Sequence, residues 1–196
     1  MRLTILALIS LLSVFLTIQA EGIQLELKEK DLRDAIEYGR ARRELSHPEL
    51  MKDWRIDLGY GVGSATIITP FAGIVILAKE SALKLMEPSE YEIRKSMEEK
   101  KDQLSFGCAI YGETIDFADK YKAVLEYKGQ KLEPSNQDVP STADYTRTYP
   151  KSPRYWALCF YRFSVGPVDP QAAVTLILKG PEGKELKFPF DLSKVR

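Results

Sequence analysis

One histidine, His47, and two cysteines, Cys108 and Cys159, are the whole supply of soft metal ligands in this 196-residue chain. A structural zinc site takes about four such ligands, so no metal centre of that kind is expected. Any serine–histidine–acid arrangement would have to use His47. It stands in Ser46-His47-Pro48, a break between helical segments, and reads as a surface turn residue. Net charge is absent as well, 28 Lys and Arg balancing 28 Asp and Glu, so no nucleic-acid footprint is expected. The chain has no Gly-Lys-Ser or Gly-Lys-Thr of a phosphate loop. Gly59-Tyr60-Gly61-Val62-Gly63-Ser64 is glycine-rich, but Ser64 stands where the dinucleotide pattern needs glycine. No cofactor is expected, and close backbone approach accounts better for these glycines.

What is present begins with residues 1–20. Arg2 precedes a largely apolar run, Leu3–Leu16, and Ile18-Gln19-Ala20 comes before Glu21. A short basic end, an apolar centre and a small residue at the cut are the marks of a secretory signal peptide. The run is shorter than the roughly 20 residues that span a bilayer, so cleavage is expected and retention as an anchor is the alternative. The mature chain, Glu21–Arg196, would be secreted or periplasmic. Leu58–Ala78 is also uncharged over 21 positions. The alternating Gly59, Gly61 and Gly63 and the Thr69-Pro70 helix start argue against a membrane span, because Thr caps and Pro fits the first helical position. No transmembrane span is expected in the mature chain.

The hydrophobic period then divides the chain. Ile23, Leu25 and Leu27 alternate as a short strand. Asp31 is placed to cap a helix whose stripe is Leu32, Ala35, Ile36 and Gly39. A second helix is predicted from Pro70 to about Met86, and a third, mostly charged, opens at the capping box Ser89–Glu92. From Gln103 the period becomes two. Strands are predicted at Leu104–Tyr111, Lys122–Tyr127, Gln130–Leu132, Trp156–Val165, Ala173–Leu178 and Glu185–Phe190. The expected class is α+β: a signal peptide (1–20), a helical N-terminal part (21–102) and an antiparallel, immunoglobulin-like β-sandwich (103–196).

Cys108 and Cys159 lie in separate predicted strands, and an exported chain permits a disulfide between them. It would close a loop of about 50 residues and stabilise by about 4 kcal/mol in the chain-entropy description. Two buried thiols are the alternative. Glu113, Asp116 and Asp119 could offer oxygen to calcium, but their spacing fits no EF-hand and a solvated turn is preferred.

Pro134–Pro153 interrupts the strand pattern with four prolines, and a loop that long is functional or mobile. Tyr145, Arg147, Tyr149 and Arg154 cluster in and just after it, with Lys151, Tyr155 and Trp156 beside them. Rigid aromatics and forked guanidinium donors suit recognition, so these four are the candidate binding residues. A protein or an anionic envelope polymer would suit them. The expected function is that of an exported, non-catalytic binding or structural protein. The alternatives are a carboxylate-dependent hydrolase of envelope material and a periplasmic subunit of a larger assembly.

Overall fold

The computed structural model describes residues 23, 26–166 and 168–196. The export segment, residues 1–20, lies outside the described residues. Helix α1 (Glu29–Ala41) starts one turn before Asp31. Asp31 therefore caps by reaching back, its Oδ2 accepting from the Lys28 N–H at 3.2 Å, and is not itself the N-cap. Ile23, Glu26 and Leu27 lie outside any strand, which corrects the predicted opening strand at its described positions. The Ile23 N–H instead donates to Leu192 O (2.8 Å), tying the start of the fold to its end.

A four-residue helix α2 (His47–Leu50) leads into strands β1 (Arg55–Asp57) and β2 (Gly63–Ile67). Helix α3 (Pro70–Leu83) follows, and Thr69 Oγ1 accepts from the Ala72 N–H at 3.0 Å as its sequence predicts. It stops three residues before Met86. Leu85 takes the left-handed conformation (φ 58°), and the Met86 and Leu85 N–H groups close back onto Ser81 O and Ala82 O. That is a Schellman ending with leucine where glycine is usual. Helix α4 (Glu90–Glu98) has the predicted reciprocal cap: Ser89 N–H donates to Glu92 Oε2 (2.8 Å) and Glu92 N–H to Ser89 Oγ (3.3 Å). Only its Ile93 and Met97 side pack inward, and Tyr91 stays exposed.

The remaining strands are β3 (Gln103–Gly112), β4 (Lys122–Tyr127), β5 (Gln130–Leu132), β6 (Asn136–Asp138), β7 (Asp144–Tyr145), β8 (Tyr155–Ser164), β9 (Ala173–Lys179) and β10 (Glu185–Asp191). They form two antiparallel sheets. The first runs β1-β2-β3-β8-β6, with β7 also on β8; the second runs β10-β9-β4-β5. The class is α+β, with the two sheets face to face. Segment 21–102 is not helical throughout, because β1 and β2 belong to the first sheet and β2 pairs residue for residue with β3.

Phe106 of β3 packs on Phe163 of β8 (5.9 Å between ring centres) and on Phe190 of β10 (5.5 Å), and these rings fill the space between the sheets. Gly63 (φ 149°) lets the edge of β2 approach the second sheet, since a Cβ there would lie 3.0 Å from Leu186 Cδ1. Helices α1 and α3 pack together where Gly39 carries no side chain to strike Val75 and Ala78. Trp54 stacks on Phe71 of α3 (6.1 Å), and its Nε1–H donates to Arg196 O at 2.6 Å. One continuous core thus runs from Ile23 to Val195. Among the described residues, no helix is long and apolar enough to cross a membrane.

Cys108 and Cys159 sit directly opposite each other on β3 and β8, fully buried. Both are free thiols in this structure. The Val165 N–H donates to Asp102 O on the same ladder, and in a regular antiparallel ladder hydrogen-bonded pairs recur every second residue. Counting along the register puts Cys108 and Cys159 in such a pair, about 5.5 Å between Cα atoms, within the range that disulfides span. Burial raises both thiols, Cys159 to about 11, so they are protonated and act as small apolar residues.

Candidate functional site

The long proline-bounded loop is ordered by its own threonines. The Thr146 N–H donates to Arg154 O (2.9 Å), and the Thr148 hydroxyl has one proton for two acceptors, Pro153 O at 3.1 Å and Thr146 Oγ1 at 3.0 Å. Thr146 Oγ1 also donates to Pro153 O. This network draws the ends of the loop together. Strand β7 sets Tyr145 directly opposite Tyr155 of β8.

Three tyrosine rings therefore meet. Tyr145 lies 4.4 Å from Tyr149 and 5.5 Å from Tyr155, and Tyr149 lies 6.1 Å from Tyr155. Tyr145 and Tyr149 remain 61% and 47% exposed despite these contacts. Beside them, the Arg147 guanidinium lies 4.2 Å over the ring of Tyr60, which in turn meets Tyr111 at 5.2 Å. The Tyr60 hydroxyl and Thr148 Oγ1 are 3.0 Å apart, a bond that joins the glycine-rich loop to the proline-bounded one. Asp57 shapes the glycine-rich loop by accepting from the Gly59 N–H at 2.8 Å.

Of the four predicted residues, Tyr145, Arg147 and Tyr149 are thus brought onto one surface, Arg147 through its stacking on Tyr60. Arg154 has a different position. Its Nε donates to Glu113 Oε2 (3.1 Å), and Ser152 Oγ donates to Glu113 Oε1 (2.5 Å). The hydroxyl of Ser152 and then the Arg154 guanidinium hold the Glu113 carboxyl below its ordinary value. Arg154 therefore braces the loop against the end of β3. Asp116 is taken up separately by Lys120 (3.4 Å), so the acidic triplet does not converge. Among the described residues, no group of three or more His, Cys, Asp or Glu side chains is placed to hold a metal ion. His47 stands at the start of α2 with its residue surface exposed, yet partial desolvation of its ring, then the charges of Lys79 and Arg55, lower its pKa.

Sequence reading missed Tyr60, Tyr111 and Glu113 as members of this surface. Tyr60 carries a weak signal, a large ring between two glycines in an uncharged stretch. Nothing local ties it to a loop almost 90 residues further on.

No family model matches the chain, and no curated protein is similar to it. Among solved structures, the archaellum periplasmic stator protein FlaG from Sulfolobus acidocaldarius is similar over 45% of this chain and 86% of its own, at 13% identity and a TM-score of 0.29. The complex of archaellum periplasmic stator proteins FlaF and FlaG from the same organism matches over 45% of this chain and 77% of that one, again at 13% identity and a TM-score of 0.29. A likeness of that size carries no argument about what this chain does.

Proposed function

We propose that this chain is an exported, non-catalytic recognition protein. It works outside the cytoplasm and docks a protein partner through the tyrosine–arginine surface of its proline-bounded loop. One observation carries the reading: three tyrosines are held within 6.1 Å of one another while two of them stay about half or more exposed. Tyrosine gives a large amphipathic contact area with few torsions to freeze, and tyrosine and arginine dominate binding hot spots. The threonine network and the Arg154–Glu113 brace order the loop before any partner arrives, which lowers the entropy cost of docking. Arg147 has no carboxylate within ion-pair distance among the described residues, so it is free to meet one on a partner.

The test is a photo-crosslinking residue placed at Tyr145 in the native cell, with Glu37 of α1 as the control position. A discrete adduct at Tyr145, absent at Glu37 and removed by protease, supports a protein partner. A protease-resistant adduct replaces that partner with an envelope polymer, and equal labelling at both positions removes the surface from the account.

A further inference from the structure

Strand β3 carries a hydroxyl without a partner. Ser105 is 7% exposed, and its Oγ makes no hydrogen bond. Leaving such a group unpaired is costly, so its surroundings bear on what it is for. Ser105 lines a pocket of about 230 Å³ between the outer face of the first sheet and helices α3 and α4. Lys100 and Arg162 also line it, and Ile68, Ile76 and Phe160 supply apolar wall.

Neither cation has a carboxylate within ion-pair distance among the described residues. Arg162 spends one N–H on Asn136 Oδ1 (2.7 Å), which leaves most of its donor fork unused. Lys100 Nζ reaches only Ser96 O, at 3.4 Å. The stem of Lys100 is fixed because Gly73 of α3 has no side chain, a Cβ there meeting Lys100 Cε at 2.7 Å. Glu99 lies at the rim, 4.0 Å from Lys95.

We propose that this pocket binds a small monocarboxylate. The carboxylate would accept from Arg162 and Lys100, and a short apolar body would lie against Ile68, Ile76 and Phe160, with the closed-off Ser105 hydroxyl adding its dipole from beneath. The volume falls below the roughly 300 Å³ where pockets for drug-sized ligands begin, so the body is short. Glu99 at the rim and the apolar walls select against a doubly charged phosphate. Burial lowers the pKa of Lys100, against the pull of Glu99, and a bound anion would restore it. The site is independent of the tyrosine surface.

The experiment is a titration of the isolated, isotope-labelled protein with sodium butyrate, followed at the backbone amides. Saturable shifts at Gly73, Ser105 and Arg162 are expected. Neutral butyramide and inorganic phosphate should bind at least about tenfold more weakly, the loss typical of a missing charged hydrogen bond. Arg162→Gln should weaken butyrate by a similar factor with an unchanged melting temperature; if that variant does not fold, Lys100→Gln is read in the same way. Absence of saturable shifts at those amides overturns the proposal, as does equal binding of butyramide, tighter binding of phosphate, or full affinity in the folded variant.

Discussion

The two sheets differ in what covers them. The first is packed on both faces around β2 and β3, between the helices and the second sheet, with β2 buried at every one of its five positions, while β8 leaves Leu158 exposed. The second sheet has one face in water. Along β10, Leu186, Phe188 and Phe190 are buried while Glu185, Lys187 and Pro189 are exposed. The half-solvated sheet writes its orientation into the sequence, because only one face needs apolar side chains. The doubly covered strands β2 and β3 lose that alternation. They accept serine, threonine and glycine beside isoleucine and phenylalanine, provided that the volumes fit.

Phe106→Ala tests the doubly covered sheet most severely. The ring touches both Phe163 and Phe190, and its loss should cost about 3–5 kcal/mol in denaturant unfolding. A cost under about 1 kcal/mol would mean that the contact between the sheets is not tight. Cys108→Ser in the same layer should cost about 1–3 kcal/mol, because a hydroxyl replaces a fully buried thiol with no added partner. Two titratable thiols per chain, measured after unfolding without reductant, should accompany it in the parent protein. A single disulfide instead would mean that the two facing thiols oxidise to the bridge their export would permit.

The junction at the end of β10 gives a pH signature. Lys194 and then Ser193 hold the Asp191 carboxyl down to about 2, whereas an unfolded aspartate titrates near ~3.9. The folded pKa is the lower one, so this contribution is complete above about 4 and is lost as pH falls from there towards 2. Over that window Asp191→Asn should lose less stability than the parent protein. A parallel decline in both would show that the contact between Asp191 and Lys194 (2.6 Å) contributes nothing in solution. The smallest effect belongs to the wet face of β10. Lys187→Ala should change stability by less than about 0.5 kcal/mol, and a larger loss would show that this face is covered in the protein as isolated.

The legible parts of the chain were those whose cause is local. Strand β10, the β9–β10 turn at Gly180–Gly183, and β4 with β5 stand within a residue or two of their predicted bounds. The Thr69 and Ser89 caps also form as read, because a cap is satisfied within one helical turn. Tyr145 and Tyr149 were visible as a cluster because they are four residues apart in one loop.

Other features depended on segments far apart in the chain. Strand β2 was hidden because its partner, β3, starts about 40 residues later and supplies the hydrogen bonds that make it a strand. Arg154 seemed free in the sequence, and only the end of β3 brings Glu113 to it. Cys108 and Cys159 could be assigned to separate strands from the sequence, but only the β3–β8 register sets them directly opposite each other. The sequence by itself determined the starts of α3 and α4, the hairpins and the aromatic, arginine-bearing character of the loop, since backbone capping and side-chain period act over a few residues. Tertiary structure alone decided the second cover on the first sheet, the stacking of Arg147 on Tyr60, and the orphan hydroxyl of Ser105 beside two unpaired cations. Each of these needs surfaces from distant segments to meet, and no local pattern encodes where a folded chain returns to itself.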